Sequence, residues 1–293
     1  MQAAEGSLGF SNGTKSQFTP APILTLPRDE KVVSVAAGNN HVVVLTTHGH
    51  IYTWGAGEQG QLGRKIIERR KIHGTTPEKV TLKSRSLKAV AVGAGNYASF
   101  AVDQNGDVWA WGLNNMGQTG TGFDDPEDNT VPQPKKVAGL SREELNGATV
   151  TSISGGEHHT LFLTSAGEVY ACGRATAGQL GLPPTHSARQ SNPDEKHLDG
   201  IVPKPTLVPF PDPASDDPVV YISVGIHNNL AVTRAGALYS WGQGTQGELG
   251  AGSDEEIHVP TVVVRKEGGS WKAIAASCGG QHSMGLFRKK TAT

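Results

Sequence analysis

The sequence predicts an all-β protein, a β-propeller that forms a partial ring of about four to five four-stranded blades. A phrase ending in glycine recurs along the chain, a longer frame of apolar runs and turns precedes the later copies, and no stretch has a convincing helical period. Self-similarity at a fixed frame is the signature of a repeat architecture. The copies of the phrase are EGSLG (5–9), QGQLG (59–63), MGQTG (116–120), AGQLG (177–181) and QGELG (246–250).

Each frame predicts three strands, and a β-rich run after it predicts a fourth. The first strand has alternating apolar residues and ends at a turn glycine. A second apolar run, a tight hairpin turn and a third strand follow, and the third strand ends in an aromatic residue or cysteine followed by glycine. The fourth strand is represented by KVTL (79–82) and VPTVVV (259–264). The turn glycines are Gly38, Gly95, Gly155, Gly225 and Gly279.

Four antiparallel strands per repeat are typical of a propeller blade. Since neighbouring blades bury each other's apolar faces, the tryptophans that recur before glycine at the end of the third strand are predicted to lie between blades: Trp54, Trp111 and Trp241. A solenoid of β-coils is the structural alternative, although its repeats are usually shorter. The predicted organisation is a blade tail and connector (1–31), propeller repeats (32–287, divided as 32–88, 89–149, 150–218, 219–270 and a partial 271–287) and a basic tail (288–293).

The composition narrows the class of protein. The 38 glycines lie at fixed places in the frame, which indicates turns rather than a flexible linker. The 26 basic and 27 acidic side chains balance, so net charge does not indicate a nucleic-acid binder. Cys172 and Cys278 occupy apolar places without paired spacing, which predicts buried free thiols in a reducing compartment. No apolar run suffices to span a bilayer, no signal peptide is present, and Met1 is expected to begin a truncated product.

Positions that vary inside a constant frame are candidates for partner contacts. One position a few residues after the turn glycine carries polar side chains that can form hydrogen bonds to the backbone of the turn. A structural role is therefore predicted for these residues: His41, Ser99, His159, Asn229 and His282. The position before it is variable and predicts a partner-facing rim, with an idle exposed loop as the alternative: Asn40, Ala98, His158, Asn228 and Gln281.

The frame V-x-x-G-x-x-H-x-x-x-L-x-x-x-G-x-[VLI]-[YWF]-x-W-G-x-G-x-x-G-Q-L-G resembles the repeat of the regulator of chromosome condensation family. Longer matches fall in the same order: GEQGQLGR (57–64), TLKSR (81–85), SGGEHHT (154–160) and SCGGQHS (277–283). The resemblance covers Glu5 to Phe287 and implies about the last two thirds of a seven-bladed ring. It implies a guanine-nucleotide exchange factor for the small GTPase Ran, nuclear and bound to chromatin, which performs no bond chemistry and needs no cofactor.

The resemblance also implies residues that contact Ran. In the family, the position before the histidine carries an aspartate in one blade and a histidine in another, and both are important for exchange. Asn40 stands at the aspartate position and His158 matches the histidine. Arg64 and His282 match further positions implicated in the Ran interaction; a solvated loop arginine is the alternative for Arg64. The β-wedge of the family, a hairpin that presses on the GTPase, maps onto Glu5, Gly6, Ser7, Leu8 and Gly9, with a plain blade end as the alternative.

A basic run, RKIIERRKIHG (64–74), follows the first full frame. The resemblance implies that an arginine-bearing loop at this place meets the acidic patch of the histone dimer on the nucleosome. Arg69 and Arg70 are the candidates, because guanidinium groups pair with clustered carboxylates in a bidentate manner. A solvated charge run is the alternative.

Motifs for catalysis or metal binding are absent: the sequence has no GxSxG, Walker A, HExxH or paired CxxC. His48 and His50 flank a hairpin turn, and His158 and His159 are adjacent. Their side chains are expected to point in different directions, so no shared metal ion is predicted. Two alternatives to exchange remain. One is an interaction propeller without exchange activity; the other is a light-sensing member of the fold, which the missing GWRHT motif disfavours.

Overall fold

The computed structural model describes residues 8–9, 17–65, 72–123, 129–189, 200–212, 214, 216–264 and 269–290. In these ranges 18 strands form five antiparallel sheets, of which four have four strands and the fifth has two. The predicted all-β architecture of four-stranded repeats is confirmed. Helical structure in the same ranges is confined to two short turns, Ile72–Thr75 and Ser187–Arg189. No helix of the described chain has the length and apolar character to cross a membrane.

Consecutive strands pair within each sheet, as in a meander. The first sheet contains β1 (Val32–Ala37), β2 (His41–Thr46), β3 (Ile51–Gly55) and β4 (Glu78–Val80). The second contains β5 (Ala89–Ala94), β6 (Ala98–Asp103), β7 (Val108–Leu113) and β8 (Thr130–Lys136). The third contains β9 (Val150–Gly155), β10 (His159–Thr164), β11 (Val169–Arg174) and β12 (Ile201–Leu207). The fourth contains β13 (Val219–Val224), β14 (Asn228–Thr233), β15 (Leu238–Gly242) and β16 (Ile257–Val264), and the last contains β17 (Trp271–Cys278) and β18 (Ser283–Lys289).

The sheets are arranged as blades of a propeller. The first strands of neighbouring sheets contact each other along the series β1, β5, β9, β13 and β17. Second strands also pack against the first strand of the next sheet, as β2 does on β5 and β14 on β17. The first strands therefore line the inside of an arc. Apolar side chains are exposed on the first and the last sheet, among them Val33, Val35, Met284 and Leu286, so the ring is partial.

Tryptophans fill the spaces between blades. Trp111 and Trp241 are fully buried, and Trp54 and Trp109 are nearly so. Trp109 and Trp111 pack in one cluster with apolar residues of the first and second sheets. Trp271, which does not stand at this recurring position, is 52% exposed. It begins a first strand, β17, whereas the buried tryptophans lie in third strands, which the end of the preceding repeat covers, as the Gln61 carbonyl and Gly63 cover Trp111.

The recurring phrase is explained by two roles of its central glutamine or glutamate. The first role belongs to the side chain, which accepts a backbone N–H two residues earlier and closes the turn. This bond occurs in four copies, from Gln59 N to Gln61 (2.9 Å), Met116 N to Gln118 (2.8 Å), Ala177 N to Gln179 (2.8 Å) and Gln246 N to Glu248 (2.7 Å). These four copies therefore share a side-chain carbonyl or carboxylate oxygen that closes the turn.

The second role belongs to the backbone carbonyl of the same residue, which holds the next blade. The Gln61 carbonyl accepts hydrogen bonds from Ser99 Oγ at 2.8 Å and from Trp111 Nε1 at 2.9 Å. In the following blades Thr160 Oγ1 donates to the Gln118 carbonyl at 2.7 Å, and Asn229 Nδ2 donates to the Gln179 carbonyl at 2.9 Å. The recurring phrase at the end of one blade, called the blade tail, is thus hydrogen-bonded to the second and third strands of the next blade. These bonds are called the clamp.

Both cysteines are free thiols. Cys172 is fully buried, as predicted, and burial raises the pKa of its thiol far above the usual range. Cys278 is only partly buried, and desolvation raises its pKa to about 11 although hydrogen bonds from Ser223 and Ser283 oppose the shift. Neither thiol is activated as a nucleophile.

A buried carboxylate holds the connector that precedes β1. Glu30 contacts His50 Nδ1 at 2.5 Å and His48 Nδ1 at 3.3 Å, and Tyr52 donates its hydroxyl to Glu30 at 3.2 Å. The expectation that His48 and His50 point apart is wrong, because residues two apart around this hairpin share a side and reach one acceptor. Burial of Glu30 opposes ionisation, but the hydrogen bonds to His50 and His48 and the nearby Thr46 hydroxyl outweigh it and lower the pKa to about 2.

Glu30→Gln should lower the free energy of unfolding by about 2 kcal/mol at pH 7, since it removes a charge-assisted hydrogen-bond acceptor from a buried site. A carboxyl with a depressed folded pKa stabilises the protein above its unfolded pKa, so the loss should shrink as pH falls from 4.5 to about 2. Urea unfolding at pH 7 and pH 3 measures both values. The exposed neighbour Asp29, replaced by Asn, is the control and should change stability little. A loss that is equal at both pH values would contradict the role of the charge.

Candidate functional rim

The loops between the first and second strands of the blades share one end of the arc. They comprise residues 38–40, 95–97, 156–158, 225–227 and 279–282 and are called the rim loops. Successive rim loops are joined by backbone hydrogen bonds, from Asn39 N to the Asn96 carbonyl (2.9 Å), from Asn96 N to the Gly156 carbonyl (2.9 Å) and from Glu157 N to the Ile226 carbonyl (3.2 Å). The backbone of the rim is therefore fixed by the fold itself, without a partner.

The strand register corrects the alignment of the rim positions in two blades. The glycine that follows the tryptophan or cysteine in each third strand pairs with His41, Ala98, His159 and Asn228. The sequence-based assignment of Ser99 and Asn229 to this position is wrong by one residue, because these side chains point the opposite way, toward the clamp of the preceding blade. Gly156, rather than Gly155, is the turn glycine of the third blade, since Gly155 ends β9.

The corrected register changes which residues occupy the variable rim position. It is occupied by Asn40, Tyr97, His158, His227 and Gln281. His227 is therefore a rim residue that the sequence alignment missed. Counting two residues from the turn glycines Gly156 and Gly225 would have identified it. The repeats could not be aligned there by residue type, because the side chains around Asn228 and Asn229 vary.

His158 lies at the centre of the described rim. Its side chain is 18% exposed, and its backbone carbonyl accepts a hydrogen bond from Arg174 N at 2.8 Å. Its Nε2 atom is 4.0 Å from a carboxylate oxygen of Glu157, and its Nδ1 atom is buried without a hydrogen-bond partner. Burial lowers the pKa of His158; Glu157 opposes this shift, whereas Arg174 and His227 add to it. The imidazole is thus a neutral group held in place at the rim.

Asn40 and His158 share the rim, two blades apart. Asn40 is half-buried, and its carbonyl accepts a hydrogen bond from Ala56 N at 2.8 Å, which ties the rim loop to the start of the blade tail. The neighbouring Asn39 donates from Nδ2 to the hydroxyl of Tyr97 at 3.1 Å. The side chain of Asn40 is an amide, so no carboxylate stands at this position.

Arg64 is packed against its own blade rather than solvated. One guanidinium nitrogen is 3.1 Å from Glu78 Oε2, and another donates to the Thr53 carbonyl at 3.2 Å. Burial lowers the pKa of the Arg64 guanidinium, and the carboxylate of Glu78 opposes this shift. The arrangement joins the blade tail to β3 and β4, and the side chain is 12% exposed.

His282 occupies the fifth rim loop and is exposed. Its counterparts His41 and His159 are buried because a following blade covers them. Together with the tail 246–250 and β18, His282 lines an open cavity of about 380 Å³. The register places His282 one residue after the position of Asn40 and His158, which Gln281 occupies in this blade, and the environment of His282 is more open.

The wedge and histone predictions lie mostly outside the described residues: Glu5, Gly6, Ser7, Arg69 and Arg70. Leu8 and Gly9 are described. A Cβ atom built on Gly9 would lie 2.9 Å from Trp54 Nε1, so the end of the phrase 5–9 packs on the first blade as later copies pack on theirs. Within the described ranges, no group of three His, Cys, Asp or Glu side chains is arranged to hold a metal ion.

Comparisons with known proteins agree with the architecture. Protein pim1 of Schizosaccharomyces pombe is 39% identical over 285 residues, which are 97% of this chain and 50% of pim1. Guanine nucleotide exchange factor SRM1 of Saccharomyces cerevisiae is 32% identical over 283 residues, which are 96% of this chain and 55% of SRM1. The chain thus spans little more than half the length of these two relatives.

The solved structures give the same result. The crystal structure of Prp20p from Saccharomyces cerevisiae matches with a TM-score of 0.81 and 30% identity, over 97% of this chain and 62% of Prp20p. The family model of the RCC1-like domain matches residues 2–285, which is nearly the whole sequence. The chain belongs to the RCC1-like domain family.

Proposed function

We propose that the chain is the propeller part of a guanine-nucleotide exchange factor for a small GTPase of the Ran type. The observation that carries the proposal is its 32% identity, over 96% of its length, to a protein named a guanine nucleotide exchange factor. Prp20p, described with its binding to Gsp1p and histones, supports the same partner classes. An interaction propeller without exchange is the outcome to be distinguished by experiment.

Exchange of this kind makes and breaks no covalent bond. The factor binds the nucleotide-free GTPase more tightly than the loaded form, and linkage then requires that it weaken nucleotide binding by the same factor. A surface for this task must be ordered before the encounter, because ordering it during binding would cost affinity. The hydrogen-bonded rim loops meet this requirement.

The rim residues receive roles within the proposal. His158 and Asn40 contact the GTPase, and His282 lies further along the rim. Arg64 supports the first blade and orients its blade tail. Leu8 and Gly9, with Glu5, Gly6 and Ser7, are assigned to the wedge. Arg69 and Arg70 are assigned to the histone surface, which places the protein on chromatin in the nucleus.

The exchange assay tests the proposal directly. Release of a fluorescent GDP analogue from Ran should be faster in the presence of the chain, and His158→Ala should reduce the acceleration by about tenfold, as expected for a buried interface contact. His48→Asn is the matched control: it replaces a histidine in the β2–β3 hairpin, outside the rim loops, and should leave the acceleration unchanged.

Two results would contradict the proposal. If the chain binds Ran without accelerating GDP release, it is an interaction propeller. If it neither binds Ran nor accelerates release, the assignment of the partner is wrong as well.

A further inference from the structure

A single carboxylate stands on the rim. Among the rim loops, all of which the structure describes, Glu157 is the only residue with a formally charged side chain at neutral pH. Its side chain is 37% exposed. The other rim side chains are amides, histidines, one tyrosine and one isoleucine. Any positive charge on a partner that docks on these loops therefore meets Glu157.

Two histidines flank this carboxylate. His227 Nε2 lies 3.3 Å from Glu157 Oε2, and His158 Nε2 lies 4.0 Å from Oε1. No lysine or arginine of the described chain forms an ion pair with Glu157. An ionised carboxylate offers about four acceptor positions. His227 stands close to one oxygen, His158 at 4.0 Å is beyond hydrogen-bond distance, and the outward positions are open. The charge is oriented but not neutralised.

The backbone beneath Glu157 is fixed from both sides. Its N–H donates to the Ile226 carbonyl of the next blade at 3.2 Å, and the adjacent His158 carbonyl accepts from Arg174 N at 2.8 Å. His227 comes from the neighbouring blade, so its contact with Glu157 crosses the blade boundary. The direction of the carboxylate is therefore set by two blades together.

We propose that Glu157, oriented by His227, receives a lysine or arginine side chain of the bound GTPase. The inference rests on the proposed function, and it names the chemistry of the partner at that site. Asn40 supplies no charge to the rim, and Glu157 supplies it from the third blade instead. His227 is a positioning residue: its N–H holds the carboxylate outward, and the partner's guanidinium or ammonium takes the free oxygen positions.

The test measures the affinity of the full chain for nucleotide-free Ran at several salt concentrations. Glu157→Gln keeps the shape of the side chain and removes its charge. It should weaken binding about three- to fivefold at low salt, as expected for a partly exposed ion pair. It should also flatten the dependence of affinity on salt, because a screened charge pair is lost. A purely structural role of Glu157 would not change this salt dependence.

Two variants of His227 test the positioning role. His227→Leu should weaken binding about as much as Glu157→Gln, whereas His227→Gln, which retains an N–H donor, should restore affinity close to that of the unchanged chain. Urea unfolding of each variant shows that the effect is not a loss of the fold. If His227→Leu binds like the unchanged chain while Glu157→Gln does not, the positioning role is wrong.

The failure of this inference differs from the failure of the proposed function. If Glu157→Gln leaves affinity and its salt dependence unchanged while His158→Ala weakens binding, the rim binds the GTPase without this ion pair and the inference alone is overturned. If the unchanged chain does not bind Ran at all, the proposed function fails and the inference fails with it.

Discussion

Replacing Gly63 by alanine should lower the free energy of unfolding by about 4 kcal/mol, roughly twice the loss expected for the same change at Gly250. Both glycines end a copy of the recurring phrase, and both have left-handed backbone angles, with φ of +67° and +64°. An alanine in this region costs about 1–2 kcal/mol because its Cβ approaches the following carbonyl. This part of the loss is common to the two sites.

The difference between the sites comes from the tryptophan of the next blade. A Cβ atom on Gly63 would lie 2.8 Å from Trp111 Nε1, whereas one on Gly250 would meet nothing closer than Val263 Cγ1 at 3.7 Å. Trp111 is fully buried and donates to the Gln61 carbonyl at 2.9 Å. The added methyl group must displace the indole and weaken the clamp between blades, which we expect to cost about 2 kcal/mol more.

Urea unfolding followed by tryptophan fluorescence measures both losses, and a second background isolates their cause. In a Trp111→Phe protein the smaller ring leaves room at Gly63, so Gly63→Ala should cost less there than in the unchanged chain. Equal losses for Gly63→Ala and Gly250→Ala would mean that the backbone angle alone determines the requirement for glycine. The interblade explanation of the phrase would then be wrong.

The repeats made the fold predictable because each one contains a complete set of local signals. Alternating apolar residues, a hairpin turn and a Trp-Gly pair specify three strands without long-range information, and the structure confirms them as β1–β3 and their counterparts. The glutamine of QGQLG could be recognised as a repeat element, but its function could not. Its carbonyl bonds Ser99 and Trp111, which are distant in sequence and belong to another blade.

The errors have a common physical origin. The position of His227 was missed because one residue in a strand reverses the direction of a side chain, and variable sequence gave no marker for that single step. The exposure of Trp271 could not be predicted from its residue type, because burial depends on which strand the neighbouring blade covers. Glu30 was not noticed because its partners, His48 and His50, meet it only in the folded chain. Long-range packing determines all three.

Two buried histidines should make the protein lose stability as pH falls from about 6.5 to about 4. His41 and His159 occupy the same position in the first and third blades and are each 1% exposed. Burial lowers the pKa of each to about 4, although the Ala98 backbone opposes the shift at His41 and the Asn229 hydrogen bond opposes it at His159. Both rings are therefore neutral in the folded protein at pH 7.

The hydrogen bonds assign the tautomer of both rings. Ser99 Oγ donates to the Gln61 carbonyl, so it accepts from His41 Nε2 at 2.9 Å. Asn229 likewise uses Nδ2 as a donor to the clamp, so its Oδ1 accepts from His159 Nε2 at 2.8 Å. The Nδ1 atom of each ring is buried without a partner. Protonation would place a positive charge in this buried position, which is costly.

The direction of the pH effect follows from these pKa values. Above about 6.5 the histidines are neutral in both states, and stability is complete. Between 6.5 and about 4 the unfolded chain takes up protons that the folded protein excludes, so stability falls with pH. The two sites together should remove on the order of 4–6 kcal/mol by pH 4.

The fourth blade supplies the replacement for a test, because it has Asn228 at this position and donates from Nδ2 to Ser283 Oγ at 3.4 Å. The double variant His41→Asn/His159→Asn should lose much less stability than the unchanged chain between pH 7 and pH 4.5, measured by urea unfolding at each pH. His282→Asn changes a histidine at the equivalent but exposed position of the fifth blade, so it should keep the steep dependence of the unchanged chain and serves as the control. If the double variant loses as much stability as the unchanged chain over this range, the interblade histidines are not the source of the acid sensitivity, and a group elsewhere in the blades must be protonated on unfolding.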